Sequence, residues 1–229
     1  MRKPILKVDW ATHKSAKYAC ANWHYSGNVP VSKIVRLGTW EDDSFKGVVI
    51  FGIGATPQLF KPYGLQPAEG CELARVALRD HVTPVSKIIK VALIYLRRAN
   101  PNLRLVVSYA DEGQGHHGGI YQAGNWIYDG ESVANWISIN GEKIHPRTAV
   151  HRYGTSSITK LTQLGLNAKK VKSAKKHRYL MPLDKAMREQ IKPLSKPYPK
   201  RTKLGDACDQ RDSGGATPTS ALHYCKGET

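Results

Sequence analysis

Apolar positions change their period several times along the chain, and each change marks an element. Val85, Ile88, Ile89, Ala92, Leu93 and Leu96 fall at i, i+3, i+4, i+7, i+8 and i+11 and predict an amphipathic helix. Lys87, Lys90, Arg97 and Arg98 lie off that face, and Asn100-Pro101 ends the helix because the residue before proline avoids helical geometry. Val31–Trp40 and Gly47–Ile53 are rich in β-branched and apolar residues. The polar run Glu41-Asp42-Asp43-Ser44 between them predicts a turn and hence a hairpin. Cys71–Leu78 and Leu103–Tyr109 predict two more strands, the second with the continuous apolar pattern of a buried one. His13–Tyr25 reads as a helix stopped by Ser26-Gly27, and Thr56–Gly70, with three prolines and no period, as a loop. Gly119–Ala123 predicts a short helix and Trp126–Tyr128 a strand. The middle of the chain is therefore β-β-β-α-β-α-β. The fold class is α/β (α+β): a mixed sheet flanked by helices, with antiparallel pairing in the hairpin and a parallel pair or crossover around the amphipathic helix.

Charge changes this picture. Lys and Arg number 35 against 18 acids, a net +17. An excess of that size points to a polyanion partner, nucleic acid before any other. It is concentrated: residues 151–203 hold 15 Lys or Arg and two acids, so they supply +13. The expected organisation is a catalytic core over 1–150, a basic segment over 151–203 that completes the fold and binds DNA, and a disordered tail over 204–229. The densest run places Lys169, Lys170, Lys172, Lys175, Lys176 and Arg178 as the DNA-binding residues. None of the four cysteines forms a C-x-x-C pair, which excludes the usual zinc signatures. Cys20 and Cys71 sit in apolar contexts and read as buried thiols, Cys208 and Cys225 as free thiols of the tail. No apolar run approaches a membrane span, so the expectation is a protein of a reducing cytoplasm.

The chemistry is densest in Ser108–Gly130, SYADEGQGHHGGIYQAGNWIYDG, which begins as a strand. Asp111, at the strand's end, is placed for a general base or a metal ligand, or for a turn in which it accepts backbone amides. His116 and His117 cannot share one site in regular structure, since neighbours point apart. Tyr121 and Tyr128 suit proton transfer or stacking on a base, whereas Trp126 suits the core. A second cluster, Trp23-His24-Tyr25-Ser26-Gly27, puts hydrogen-bonding side chains at a helix end. Arg75 interrupts the apolar strand LARVAL and needs an anionic partner if buried. Strict alternation puts Glu72 on the opposite face, leaving Asp111 or a ligand. Ser86 opens the amphipathic helix, where it either caps or helps hold an anion.

Four pieces carry a resemblance to a known family: NWHYSG at Asn22–Gly27, ELARVAL at Glu72–Leu78, the long segment just described, and HRYLMPLD at His177–Asp184. Over residues 20–203 the chain resembles the Mom family of bacteriophage DNA-modification proteins. The resemblance implies a GNAT-like fold, with a mostly antiparallel central sheet. It implies transfer of a methylcarbamoyl group to the exocyclic amine of adenine in double-stranded DNA, inside the bacterial host, as protection against restriction. Functional positions of the family match here at His24, Tyr25, Arg75, Ser86, Asp111 and Tyr121. On that footing Asp111 is the expected base, with Tyr25 or Tyr121 protonating the leaving group and Arg75 and Ser86 holding the donor. The donor would be acyl-CoA or another activated molecule, and the resemblance also brings in iron. It leaves monomer or dimer open. One departure stands out: the connection Arg79–Ser86 has no glycine, while Pro84 removes a donor, so it lacks the glycine-rich phosphate loop of acyl-CoA transferases. A conventional acetyltransferase acting on a small amine or protein, and a DNA-binding protein without catalysis, are the competing readings.

Overall fold

The computed structural model describes residues 2–54 and 56–200. The expected tail, with Cys208 and Cys225, lies outside the described residues. Eight strands form one sheet in the order β1-β2-β3-β4-β5-β8-β6-β7. They are β1 (Leu6–Trp10), β2 (Ile34–Glu41), β3 (Ser44–Gly52), β4 (Gly70–Leu78), β5 (Leu105–Asp111), β6 (Ile127–Ile139), β7 (Glu142–Ile144) and β8 (Ala168–Pro182). Every described pairing is antiparallel except that of β4 with β5, so the sheet is mixed and mostly antiparallel, as expected.

Helices cover both faces. α2 (Val85–Ala99) buries the predicted stripe against Val8, Leu37, Val49, Phe51 and Val106 on one face. α1 (His13–Trp23) packs Ala16, Ala19 and Cys20 on Val48, Ile50 and Ala77 of the other. On that second face α6 (Lys185–Ile191) and the loop around Phe60 and Tyr63 cover Leu105, Val107 and Leu180. α3 (Gly119–Gln122) follows β5, and α4 (Pro146–Tyr153) and α5 (Ile158–Gln163) close a smaller core on the far ends of β6 and β8. The thiol of Cys20 is buried as expected; that of Cys71 is half-buried, and burial together with the charge of Glu72 pushes it up to about 12.

One element carries no strand signal in the sequence. The basic run forms the strand β8, which lies between β5 and β6 and so joins the segment that follows residue 151 to the sheet. Position 150 itself falls inside α4. Lysines occupy both faces of the outer part of β8, so no alternation marks it, and β6 and β8, strands of 13 and 15 residues, pair into a long ribbon.

Candidate functional site

β4 and β5 pair only from Gly70 with Leu105 to Leu73 with Ser108. The Ser108 hydroxyl donates to the Leu73 carbonyl at 2.9 Å and closes the last paired position. Beyond it β4 runs on to Leu78 and β5 to Asp111 without pairing to each other, and a cavity of about 200 Å3 opens between them. Residues from β4, β5, the end of α1, the turn before α2 and the segment leading into α3 line it.

A bulge aims the arginine. Ile50 of β3 pairs with Arg75 and Phe51 with Leu73, so Ala74 is an extra residue. Strict alternation therefore fails, and Glu72 and Arg75 share a face, contrary to the expectation from spacing. That face carries α1. Arg75 lines the cavity there beside His24, donates from Nη1 to the Ala74 carbonyl at 2.7 Å, and has no hydrogen-bond partner for its buried Nε among the described residues. Trp23, also in the lining, has a buried Nε1 in the same condition. Buried donors of this kind are uncommon, and a ligand oxygen or ring nitrogen would satisfy them.

His24 ends α1, whose first turn is capped by Thr12. The Ser26 amide donates to His24 Nδ1 at 3.1 Å, which places the ring proton on Nε2. Burial first, then the charges of Arg75 and His116, lower its pKa to about 3, so the ring is a neutral donor near pH 7. Tyr25 stacks on it with ring centroids 4.3 Å apart, remains 47% exposed, and meets His116 edge-on. Burial and the charge of Asp111 push the Tyr25 hydroxyl up. Tyr121 is buried between Trp126 and Tyr179, its hydroxyl 2.8 Å from that of Ser108.

His24, Tyr25, Arg75 and Tyr121 thus come together from three separate stretches of chain. Asp111 and Ser86 are not in the lining. Asp111 accepts the Gly113 amide at 3.0 Å and lies 3.6 Å from Lys176, which is the turn role weighed for it, while its charge still reaches Tyr25. Ser86 is the second residue of α2, and Pro84 holds the cap position. Sequence reasoning did not single out His81 or Glu41. His81 is 8% exposed, lines the cavity, and donates from Nδ1 to the Thr83 carbonyl at 2.8 Å. Glu41, 3% exposed at the end of β2, accepts the amides of Val82 at 2.8 Å and Thr83 at 2.6 Å.

That carboxylate bears on the donor. An amide-rich turn before a helix can hold a phosphate, but here two of the amides are taken by Glu41 and Pro84 offers none. The turn does not fit the pyrophosphate of a CoA donor. Among the described residues no three His, Cys, Asp or Glu side chains are grouped to hold a metal. No described helix is long and apolar enough to cross a membrane.

The predicted DNA-binding residues divide. Lys169, Lys170 and Lys172 are exposed on β8. Lys175 pairs with Glu131 at 2.7 Å and Lys176 with Asp111. Arg178 turns inward: its Nε lies 2.6 Å from the buried Asp129, which also accepts the Tyr63 hydroxyl at 2.8 Å. Asp184, at the end of the same stretch, caps α6 and pairs with Arg104. HRYLMPLD is therefore held by internal contacts, which its composition did not reveal.

Comparison with known proteins agrees with the resemblance. The model of the Mom protein family matches residues 5–200. The Methylcarbamoylase mom of Escherichia phage Mu is 28% identical over 206 residues, 85% of this chain and 84% of that protein. A solved structure from Acinetobacter baylyi ADP1, provisionally named an acetyltransferase, superposes with a TM-score of 0.47 at 11% identity, covering 88% of this chain and 99% of the other.

Proposed function

Because the chain belongs to the Mom protein family, we propose that it is a DNA-modifying transferase that places a methylcarbamoyl group on the exocyclic amine of adenine, in the host cell and against restriction. The observation that carries the reading is the cavity between the parted strands. At about 200 Å3 it is smaller than the roughly 300–1,000 Å3 of sites that enclose a whole drug-sized ligand, and it suits one base presented edge-first.

An amine inside a duplex is out of reach, so the base must be turned out, at a cost of a few kcal/mol. Tyr25, half-exposed and already stacked on His24, offers a face for it, and stacking on an aromatic contributes about 1–3 kcal/mol. The adenine amine is a weak nucleophile, because its lone pair is delocalised into the ring. As it adds to the donor's carbonyl carbon, negative charge grows on the carbonyl oxygen. Arg75, the indole of Trp23 and neutral His24 are donors in the lining that favour this charge, and a fixed donor of this type is worth about 3–4 kcal/mol. Lys169, Lys170 and Lys172 supply phosphate contacts on the same strand as Lys176, which reaches the end of β5.

The test is nucleoside mass spectrometry of DNA from cells expressing the chain. A new, heavier deoxyadenosine is expected; an unchanged profile from a soluble product refutes the reading. The misfit of the turn before α2 to a pyrophosphate weighs against the conventional acetyltransferase.

A further inference from the structure

We propose that His81 is the general base that takes the proton from the adenine amine, and that Glu41 is the residue that positions it. The proposal rests on the functional reading above and adds a group that reading leaves open.

The chemistry requires an unprotonated atom in the cavity wall. His24 cannot supply it, since its proton sits on Nε2 and its Nδ1 accepts from Ser26. Asp111 spends one oxygen on the Gly113 amide, faces Lys176 with the other, and stands outside the lining. Tyr25 keeps its proton, because burial pushes its hydroxyl up. His81 is built the other way round from His24. Its Nδ1 faces a carbonyl oxygen, which has no proton to give, so the neutral ring carries hydrogen on Nδ1 and a lone pair on Nε2. The two rings are thus opposite tautomers in one cavity, a donor and an acceptor.

Glu41 fixes that arrangement. Its two oxygens take the amides of Val82 and Thr83, the two residues after His81, and the Thr83 carbonyl then receives the imidazole. Burial favours the neutral carboxyl, but the bonds from Thr83 and Val82 outweigh it and hold the pKa low. Glu41, His81 and Thr83 are all buried, while Val82 between the last two is exposed.

The step balances with an activated carbonyl donor as co-reactant. The N6 lone pair of adenine forms the bond to the carbonyl carbon while the N6 proton passes to Nε2 of His81. Collapse breaks the bond from that carbon to the leaving group, which departs with the electron pair. The imidazolium then returns the proton to the leaving group, and the ring is neutral again.

The test compares variants in cells, and in extracts of those cells supplying the donor, by nucleoside mass spectrometry. His81→Asn keeps an amide donor for the Thr83 carbonyl and removes the basic nitrogen. Its expected rate is lower by about 10²–10⁴, the usual contribution of a general base, with melting temperature and DNA affinity unchanged. Free imidazole added to an extract of His81→Gly restores part of the rate, and Glu41→Gln lowers kcat while leaving the KM for DNA alone. If His81→Asn fails to fold, His81→Gln replaces it in the same comparison. A folded His81 variant that keeps more than a tenth of the wild-type rate overturns the proposal, as does imidazole without effect on His81→Gly. A silent wild type is a different result: it overturns the functional reading, and this role with it.

Discussion

Arg178→Ala separates two roles that a basic run confounds. Arg178 belongs by sequence to the lysine-rich stretch, yet its guanidinium lies 2.6 Å from Asp129, whose side chain is 9% exposed and which also holds the Tyr63 hydroxyl. Removing one partner of a buried pair costs about 3–5 kcal/mol, because the other charge is left behind. The arginine side chain is itself 32% exposed, so water screens the pair and about 2–3 kcal/mol is the reasonable figure. For a chain of this size each kcal/mol lowers the melting temperature by about 2–4 °C, which gives a fall of about 4–12 °C. Lys172→Ala, at an exposed position, should leave melting within about 1–2 °C. DNA affinity measured by fluorescence anisotropy over a salt series supplies the second axis. Each lost phosphate contact lowers the slope of log K against log salt by about 0.9, so Lys172→Ala should flatten the slope and the folded Arg178→Ala protein should not. An unchanged melting temperature together with a flattened slope for Arg178→Ala refutes the reasoning.

Three further outcomes follow from the same geometry. His24 binds a proton near pH 6.5 when unfolded but only near 3 when folded. The unfolded state therefore takes up more protons in that window, and stability is complete above about 6.5 and falls as the pH drops toward 3; urea unfolding of His24→Gln should show a shallower decline. Gly118 has φ of +89°, and a Cβ there would run into the Tyr179 ring, so Gly118→Ala should cost about 2–5 kcal/mol from left-handed strain and overpacking, read by chemical denaturation. Asp111→Asn keeps an acceptor for the Gly113 amide but removes the charge that reaches Tyr25. If Asp111 acts only as a turn residue, nucleoside mass spectrometry should find modification within about threefold of wild type, and a complete loss would restore it as a catalytic group.

What could be read from sequence follows the range of the forces involved. α2 and the β2–β3 hairpin were legible because their signals are local: a helical stripe, and a polar turn between β-branched runs. β1 was not foreseen, since five residues carry little periodicity, and β8 was hidden by lysines on both faces. His24, Tyr25, Arg75 and Tyr121 were found by chemical oddity, because each is an unusual residue for its element. Glu41 and His81 passed unnoticed because their roles come from bonds that join residues about forty positions apart, which no spacing rule reports. The one available signal was a histidine in the turn between a strand and a helix. The bulge at Ala74 shows the same limit, since one extra residue reverses the face assigned to Arg75.

The parting of β4 and β5 has a bearing on how such a site changes over time. Past Leu73 and Ser108, the backbone amides and carbonyls along the facing edges of the two strands have no partner strand across the gap. These groups belong to the peptide chain itself, so no point substitution other than one to proline deletes them. The side chains around them can be exchanged, and with them the acceptor or donor that is recognised, while the polar seam persists. The architecture keeps a permanent docking edge beneath a replaceable set of reagents, and a descendant could acquire a new substrate without first having to invent a place to bind it.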